Sequence, residues 1–326
     1  MTRPAQVKQS GHEPCLTVIV VNRNTSELLV RCLDHVYQSK LDFTPQVIVV
    51  DNGSKDDSIP RVQATYPHVL LIQAGRNLGF AAANNRALEA AVGRYLLLVN
   101  TDALLDPLAA GRLMEILEQD PKVGMVGPQL LNEDLTVQTS FEAVPTLATE
   151  TLNRSLLKRL FPRRFPHKSR RVDGPISVEA LIGAVMMIRR SALEQLDGFD
   201  EGFFFFLEET DLAVRMRKSG WKVIHHPGAQ AVHLQGATAK TFDAAARIEF
   251  YRSRYRFFRK HYGNLAEKVL KTVLITNLSL NVLGLTVIAG MTLGRVPSIQ
   301  RPLERKISLW RWHLQGCPDG PGLPRD

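Results

Sequence analysis

The chain has 326 residues, of which 44% are apolar and 22% charged, and this composition excludes an intrinsically disordered protein. Lysine and arginine outnumber aspartate and glutamate by 41 to 32, and the formal net charge of +9 indicates an anionic partner such as a nucleotide, a nucleic acid or a phospholipid surface. The three cysteines, Cys15, Cys32 and Cys317, are too scattered for a disulfide scaffold, which favours a reducing compartment.

The chain divides into three predicted regions. Residues 1–13 form a flexible N-terminus without the apolar core of a signal peptide, so we expect a cytoplasmic protein. Residues 14–240 alternate between strand and helix patterns and form the predicted main domain. Residues 241–326 form a helical region that includes a candidate membrane-associated segment.

Four short apolar runs, each followed by helical spacing or a turn, open the main domain. The first lies within residues 16–24, and the others lie within 46–58, 68–80 and 94–105. Apolar strands that alternate with helices are typical of a parallel sheet covered on both faces. The sequence therefore predicts an α/β fold with a mostly parallel central sheet flanked by helices.

Polar residues follow each of these four strands in the same sense. They are Asn22 and Asn24, then Asp51 and Asn52, then Arg76 and Asn77, and finally Asn100 and Asp102. Ligands of open α/β sheets bind outside the carboxyl ends of the strands, so we expect these side chains to converge on one cleft.

Each strand-end acid has both a functional and a structural interpretation. Asp102 can hold a divalent cation that neutralises a diphosphate, or it can cap the following helix. Asp51 can accept hydrogen bonds from a nucleobase or ribose, or it can serve the turn at residues 51–54. Arg76 and Asn77 can address phosphate or sugar oxygens, although the neighbouring glycines form no P-loop and no G-x-G-x-x-G motif.

An acidic cluster follows four consecutive phenylalanines in the second half of the chain. Glu208, Glu209 and Asp211 lie beside this apolar wall, which should raise the pKa of at least one carboxyl toward the range of a general base. The alternative is a helix N-terminus that is acidic for dipole reasons. His233, further along, is either a metal ligand or a packing residue, and its spacing from His225 and His226 is no zinc signature.

Three segments, each either basic or uncharged, indicate what kind of partner the protein binds. Residues 154–171 contain many bases and no acid and are predicted to form a mobile loop. Residues 247–260 combine bases with aromatics, which is typical either of a membrane face or of a solvated helix with an aromatic core side. Residues 272–294 carry no charge and form either a membrane-contacting helix or a buried helix hairpin. Nothing resembles a nucleic-acid-binding motif, so we expect an anionic membrane surface rather than nucleic acid as partner.

The ordered series of motifs over residues 14–262 resembles family 2 inverting glycosyltransferases with a GT-A fold, and most closely bacterial rhamnosyltransferases of surface-polysaccharide biosynthesis. The motifs are "VIVVNRN", "VIVVDNGSKDDS", "GRNLGFAAANNRAL", "YLLLVNTDALL", "VEALIGAVMMIRRSALEQLDGFDEGFFFFLEETDLAVRMRKSGW" and "HHPGAQAVHLQGAT". The resemblance implies a GT-A domain with a C-terminal helical extension. It also implies an enzyme on or anchored to the inner face of the cytoplasmic membrane.

The resemblance implies transfer of a sugar from a nucleoside diphosphate donor, with Mg2+ or Mn2+ as cofactor. A dTDP- or UDP-sugar, with rhamnose from dTDP-rhamnose foremost, is the expected donor, and a glycan or polyprenyl-diphosphate-linked molecule the expected acceptor. Residues 100–102 match the D-x-D element with Asn100 in place of the first acid, which makes Asp102 a metal ligand together with His233. The donor-binding set implied by the likeness is Asn22, Asn24, Asp51, Arg76, Asn77, Asn84 and Asn100.

The acidic cluster matches the E-D-x-D element of that family, whose second position supplies the catalytic base. Glu209 occupies that position, and Asp211 is the second candidate base or a structural partner. Single in-line displacement needs such a base and a cation on the leaving diphosphate, and it needs no covalent nucleophile.

Other functions compete with this interpretation. A nucleotidyltransferase acting on sugar phosphates would carry a glycine-rich basic loop after the first strand, where this chain has "NRNTSELL". A catalytically silent carbohydrate-binding protein on the same fold remains an alternative. A glycoside hydrolase would use a pair of carboxylates without a nucleotide cleft.

Overall fold

The computed structural model describes residues 15–152, 173–234, 243–291, 296–319 and 322–325. The predicted flexible N-terminus of residues 1–13 and the predicted basic loop of residues 154–171 lie outside this part of the chain.

The described strands and helices alternate along most of the chain. The strands are β1 Leu16–Asn22, β2 Gln46–Asp51, β3 Leu70–Gln73, β4 Tyr95–Asn100, β5 Ala103–Leu105, β6 Val123–Leu131, β7 Phe141–Glu142, β8 Ile176–Ser177, β9 Ala180–Leu181, β10 Val185–Arg189 and β11 Lys222–His233. The helices are α1 Ser26–Tyr37, α2 Ser58–Thr65, α3 Phe80–Leu88, α4 Ala109–Gln119, α5 Leu147–Thr151, α6 Arg190–Glu194, α7 Glu208–Lys218, α8 Asp243–Met291 and α9 Pro297–Leu314.

The central sheet has the strand order β3-β2-β1-β4-β10-β6-β11-β5 among the described residues. The four strands predicted from the apolar runs form its first half, and all of them are parallel. β10 then runs antiparallel to β4 and β6, whereas β11 is parallel to β6 and antiparallel to β5. The predicted mostly parallel sheet flanked by helices is confirmed, with a mixed second half.

Both faces of the sheet are buried, which explains the continuous apolar runs. Successive side chains of β1 point to opposite faces, so Val18 and Val20 join one core cluster and Ile19 the other. Helices α1 and α4 contribute residues to the first cluster, and α3 and α7 to the second. Because both faces are covered, the edge formed by the strand ends is where the polar side chains collect.

A third core cluster joins the main domain to the C-terminal helices. Phe203, in the loop before α7, is buried with Phe257 and Phe258 of α8 and Trp312 of α9. Burying one such side chain stabilises a fold by about 1.5–3 kcal/mol. Tyr255, Phe257 and Phe258 of segment 247–260 therefore form a core side, whereas Phe250 is 37% exposed.

The bases of segment 247–260 are also used inside the protein. Arg254 pairs with Glu150, Arg259 with Glu267 at 2.7 Å, and Arg256 and Lys260 with Asp200 at 2.7 Å each. These ion pairs favour the interpretation of segment 247–260 as a helix with an aromatic core side.

The uncharged segment, residues 272–294, is largely exposed where the structure describes it. Helix α8 breaks at Gly263, where φ is 87°, and its second part pairs with α9. Trp310 Nε1 donates to Ser279 Oγ at 2.9 Å, and Lys306 Nζ donates to Asn281 Oδ1 at 2.9 Å. Within the described ranges one helix, Ala245–Met291, is long and apolar enough to cross a membrane, and its most apolar window is only 6% buried. The alternative of a buried helix hairpin is wrong, because the described residues 272–291 form one continuous helix that is largely exposed.

Candidate active site

The ends of β1 and β2 are joined by polar side chains. The parallel register places Asn22 beside Asp51, and both are buried. Asn22 Nδ2 donates to Asp51 Oδ1 at 3.4 Å and to Ser54 Oγ at 3.0 Å, and the Ser54 N–H donates to Asp51 Oδ2 at 3.1 Å. Asp51 therefore combines the turn role and a position at the predicted cleft.

The loop after β3 is attached to the end of β2 through two asparagines. Asn52 Nδ2 donates to Asn77 Oδ1 at 2.9 Å, and Asn52 Oδ1 accepts from the Leu78 N–H at 2.7 Å. Gly53 has a φ of 76°, and a Cβ there would lie 2.8 Å from the Arg76 backbone. The glycine allows the two loops to approach, which brings the predicted Asn77 to this edge of the sheet.

The end of β4 joins the same edge. The Thr25 hydroxyl donates to Asn22 Oδ1 at 2.8 Å and lies 3.0 Å from Thr101 Oγ1. The register places Asn100, the last residue of β4, beside Val21. Asn100 and Asp102 therefore lie at the same edge of the sheet as Asn22, the last residue of β1. All four predicted strand ends are thereby linked by hydrogen bonds or register.

Strand pairing brings His233 to Asp102. The antiparallel pair β5–β11 aligns His233 with Ala103, and the Leu234 N–H donates to the Asp102 carbonyl at 2.9 Å. His233 Nε2 then lies 3.5 Å from Asp102 Oδ1, with both side chains largely buried at 14% and 17% exposure. The two residues proposed as metal ligands from the sequence are neighbours in space.

These two residues fit a hard divalent cation. An imidazole nitrogen and a carboxylate oxygen face each other, and such an ion completes its shell with waters and substrate phosphates. Across the described ranges no group of three histidines, cysteines or acids surrounds a single point. The arrangement therefore suits an ion that is shared with a ligand better than a closed structural site.

Glu208 and Glu209 begin α7 after a strained turn. Phe206 and Leu207 both have positive φ, at 71° and 65°, a conformation that bulky side chains rarely adopt and that is often found at functional sites. Each glutamate has a buried Oε2 without a hydrogen-bond partner in the described part of the chain. A polar ligand is the natural partner for such atoms.

The pKa values of these two carboxyls are raised. Burial, and then the charge of Glu142, raises the pKa of Glu209 to about 7. Burial, and then the charge of Glu209, holds the pKa of Glu208 well above its ordinary range. A carboxyl with a pKa near 7 is suited to general base catalysis at neutral pH.

Glu209 lies at the same sheet edge as Asn100. A Cβ atom at Gly183 would lie 3.4 Å from Glu209 Cγ, so the side chain packs beside this glycine. The next residue, Ala184, accepts a hydrogen bond from the Asn100 N–H at 2.9 Å. Because Asp102 follows Asn100 by two residues, the proposed base and the proposed cation site are both near the carboxyl end of β4.

Asp211, the second candidate base, is engaged in an internal network. Its fully buried carboxylate accepts from Arg215 Nε at 2.7 Å, from Lys260 Nζ at 2.8 Å and from His261 Nε2 at 2.8 Å. Burial acts to raise the pKa of Asp211, but hydrogen bonds from His261 and Lys260 outweigh it and hold the pKa below its usual value. The geometry supports Asp211 as a structural partner that ties α7 to α8.

The remaining predicted donor-binding residues are placed differently. Asn24 is exposed, with its Oδ1 accepting from the Lys55 N–H at 2.7 Å, and Arg76 is exposed beside Asn77. Asn84 is buried in α3, where its Nδ2 donates to the Phe80 carbonyl at 2.9 Å. The Asn84 amide thus hydrogen-bonds within its own helix, and its role in donor binding stays a prediction.

Sequence reasoning missed several residues of this edge. Gln138 contacts His233, Glu142 acts on Glu209, and the Pro324 carbonyl accepts from Asn77 Nδ2 at 2.6 Å. These residues are far from their partners along the chain, and no motif marks them. His225, by contrast, is fully buried against Phe141, and burial lowers its pKa to about 4, as expected of a packing histidine.

Comparison with known proteins places this geometry in a family. The sequence model of glycosyl transferase family 2 matches residues 17–197, and that of the N-terminal domain of galactosyltransferase matches residues 163–236. The N-acetylglucosaminyl-diphospho-decaprenol L-rhamnosyltransferase of Mycobacterium tuberculosis is 27% identical over 249 residues, which cover 72% of this chain and 81% of that protein. The O-antigen chain rhamnosyltransferase WbaN of Salmonella anatum is 24% identical over 229 residues, covering 70% and 68%.

Solved structures agree at the level of the fold. Mannosyltransferase PcManGT from Pyrobaculum calidifontis, in complex with GDP-Man and Mn2+, aligns with a TM-score of 0.54 at 18% identity and covers 95% of this chain and 88% of that one. The fold is therefore GT-A, as the sequence resemblance implied. With more than half of its length matched by the family 2 model, the chain belongs to glycosyl transferase family 2 and is a glycosyltransferase.

Proposed function

We propose that this protein is an inverting, metal-dependent rhamnosyltransferase that transfers rhamnose from dTDP-rhamnose to a glycan or polyprenyl-diphosphate-linked acceptor of the cell envelope. The observation that carries the proposal is the pairing of two features at one sheet edge: Glu209 with an unpartnered buried oxygen, and Asp102 beside His233. The names of two relatives, both rhamnosyltransferases, support the choice of sugar.

In this mechanism Glu209 is the general base. Its carboxylate takes the proton of the acceptor hydroxyl while that oxygen attacks the anomeric carbon of the donor. The bond from the anomeric carbon to the diphosphate oxygen breaks in the same step, and its electron pair leaves with the nucleoside diphosphate. Attack opposite the leaving group inverts the anomeric centre.

Asp102 and His233 would hold Mg2+ or Mn2+, which would neutralise the charge that develops on the leaving diphosphate. Asn22, Asp51 and Asn77 surround the ends of β1, β2 and β3, where a nucleoside would find hydrogen-bond partners. Asn24, Arg76, Asn84 and Asn100 complete the donor-binding set that we propose from the sequence resemblance.

We further assign residues 14–240 to the catalytic domain and residues 241–326 to a helical region that contacts the inner face of the cytoplasmic membrane. The second part of α8 exposes large apolar side chains, and α9 beside it carries exposed bases. The apolar side chains are Leu280, Leu283, Val287, Ile288 and Met291. Apolar side chains beside bases are suited to an anionic lipid surface, where a lipid-linked acceptor would be presented.

Release of nucleoside diphosphate from a panel of dTDP-, UDP- and GDP-sugars tests the proposal. We expect release from dTDP-rhamnose with a polyprenyl-diphosphate-linked sugar as acceptor, and its loss on addition of EDTA. Turnover that is confined to another donor would replace the sugar assignment, and turnover unchanged by EDTA would refute metal dependence. Silence with every donor would favour a catalytically silent carbohydrate-binding protein.

A further inference from the structure

Gln138 lies behind His233, on the side away from Asp102. It is buried and follows the short hairpin of residues 131–137 at the end of β6. Gln138 Oε1 is 2.8 Å from His233 Nδ1, which is the ring nitrogen that does not face Asp102. One side-chain amide therefore contacts the ring of a proposed metal ligand.

The orientation of this amide is determined by its other neighbours. Gln138 Nε2 donates to the His233 carbonyl at 3.1 Å and to Asn132 Oδ1 at 2.9 Å, and both of these oxygens only accept. A reversed amide would place its oxygen against two oxygens. The amide oxygen must therefore face His233 Nδ1, and since it is an acceptor, Nδ1 must carry a hydrogen.

The orientation of Asn132 is determined in the same way. Its Nδ2 donates to Thr136 Oγ1 at 2.8 Å, and the Thr136 hydroxyl donates to the Asp134 carboxylate at 2.5 Å. An ionised carboxylate can only accept, which fixes the direction of the hydroxyl and then of the Asn132 amide. A series of hydrogen bonds thus runs from Asp134 to His233 with one direction throughout.

The direction matters because it sets the tautomer of His233. When the ring carries a single hydrogen and that hydrogen is on Nδ1, the lone pair of Nε2 faces the space beside Asp102 Oδ1, 3.5 Å away. Two acceptors that face each other are complementary to a cation between them. Metal-bound histidines characteristically donate their other N–H to such a partner, which orients the ring.

We propose that Gln138 is a positioning residue that holds His233 in the Nδ1–H tautomer and in the ring orientation needed for Nε2 to bind a divalent cation. The proposal rests on the metal-dependent function proposed above. Gln138 is buried and contacts the ring of His233 directly, so its effect on a bound cation would be exerted through His233.

The tautomer is measurable in the metal-free protein by long-range 1H–15N NMR of the detergent-solubilised full chain, with His233 assigned from a His233→Gln variant. We expect the Nδ1–H tautomer in the wild type and a mixture or the Nε2–H tautomer in Gln138→Leu. An Nε2–H tautomer in the wild-type protein would overturn the proposal. This readout does not depend on the enzyme being a rhamnosyltransferase or on any bound metal.

Mn2+ binding in the presence of dTDP, followed by EPR, provides the second readout. Loss of an outer partner of a metal-bound histidine lowers metal affinity by about 10- to 100-fold, so we expect that loss in Gln138→Leu. Gln138→Glu should restore part of the affinity, because one carboxylate oxygen still accepts from Nδ1–H while the other meets the His233 carbonyl and Asn132 Oδ1 without a hydrogen to donate. It also serves as the second variant if Gln138→Leu does not fold.

Gln129→Leu is the matched control. Gln129 Nε2 donates to Ser140 Oγ and to the Leu130 and Gln138 carbonyls at 2.8 Å each, so this variant loosens the same hairpin without touching the His233 ring. We expect Mn2+ affinity close to that of the wild type. Equal affinity losses in Gln129→Leu and Gln138→Leu would refute a specific role for Gln138. Failure of the wild type to bind Mn2+ with dTDP would refute metal dependence, while the NMR result would still decide on Gln138.

Discussion

Glu209 and Asp211 lie two residues apart in the first turn of α7, and their surroundings give them opposite acid–base properties. Asp211 has a cationic or neutral donor on each oxygen, whereas Glu209 has a buried oxygen without a partner and an acidic neighbour. Two carboxyls whose pKa values are moved apart by their environments are the pattern by which acid and base roles are assigned. The motif alone left both residues as candidates, since two of the three contacts of Asp211, with Lys260 and His261, come from α8, about fifty positions away.

The pH dependence of turnover should report Glu209. A general base acts only when ionised, so we expect kcat to rise with pH through about 7, the value to which burial raises the pKa of Glu209. Glu209→Gln should lower kcat by about 100- to 10,000-fold while donor affinity changes little. The kcat–pH profile and dTDP binding by calorimetry are the measurements. A Glu209→Gln variant that transfers sugar normally would show that another group is the base.

The free energy of unfolding should also depend on the ionisation of Glu209. It should fall as pH rises, whereas kcat should increase. In the folded protein the pKa of Glu209 is about 7, above its ordinary value of 4.5, so the folded state binds the proton more tightly. The stability that this provides is complete below the unfolded value and is lost as pH rises through the folded value. We expect Glu209→Gln to raise Tm relative to the wild type more at pH 8 than at pH 5. Glu133→Gln, which removes an exposed carboxylate, is the control and should show no such trend.

Removal of Asp211 should act on folding rather than on chemistry alone. Asp211→Ala leaves the charges of Arg215 and Lys260 without their common partner, and breaking a buried ion pair in this way costs about 3–5 kcal/mol. Urea unfolding measures the loss, and Glu209→Ala, two residues away, should show no comparable loss. An Asp211→Ala protein as stable as the wild type would contradict the structural role.

At the scale of elements, local pattern accounts for the first half of the sheet. β1, β2, β3 and β4 are apolar runs with polar ends, and buried strands of a parallel sheet show that pattern. The insertion of β10 between β4 and β6 and the pairing of β5 with β11 are not readable in this way. Those contacts join distant segments and depend on packing of the whole domain, yet the β5–β11 pair is what brings His233 to Asp102.

The loop before α3 offers a test of how an element positions the site. Gly79 has a φ of 85°, and a Cβ there would lie 2.4 Å from the Phe204 carbonyl oxygen, to which the Phe80 N–H donates at 2.8 Å. Gly75 also has a positive φ, 73°, but its Cβ would meet no atom within 4 Å. Both Gly→Ala changes place a Cβ on a backbone with positive φ, but Gly79, with a ψ of 174°, has a conformation that is almost exclusive to glycine, and only Gly79→Ala adds the clash.

We therefore expect Gly79→Ala to lower both stability and dTDP affinity, and Gly75→Ala to lower stability by less and to leave affinity near the wild-type value. Chemical unfolding and calorimetric titration of the two variants side by side measure this difference. Equal effects in the two variants would mean that the contact with Phe204 does not position the Asn52–Asn77 loops.

At the scale of the whole molecule, the lysines and arginines of the C-terminal helices fall into two groups. Several bases of the first part of α8 pair with Glu150, Asp200 and Asp211, so they bind the helical extension to the catalytic half. Others, among them Arg301 and Arg305 on α9, are exposed beside the apolar face of α8. Composition shows the excess but not this division, because the division depends on which carboxylates the fold brings near.

Because exposed bases lie beside the apolar face of α8, we predict that the second part of α8 contacts the membrane. Leu280 and Leu283 are 63% and 62% exposed on a helix without charge over residues 272–294. Burying a leucine in an apolar phase is worth about 1.5–3 kcal/mol, so the double variant Leu280→Asp and Leu283→Asp should lower vesicle binding by at least about tenfold. Co-sedimentation with vesicles that contain phosphatidylglycerol measures the bound fraction.

Leu135→Asp provides the matched control for that measurement. Leu135 is 66% exposed in the hairpin beside Gln138 and belongs to neither α8 nor α9, so the variant adds one negative charge, half of that in the double variant, to an equally exposed leucine. We expect it to bind vesicles like the wild type. If the double variant on α8 also sediments like the wild type, the exposed helix does not contact lipid. If neutral vesicles bind the wild type as well as anionic ones, the exposed bases of α9 play no part, and the apolar face alone carries the contact.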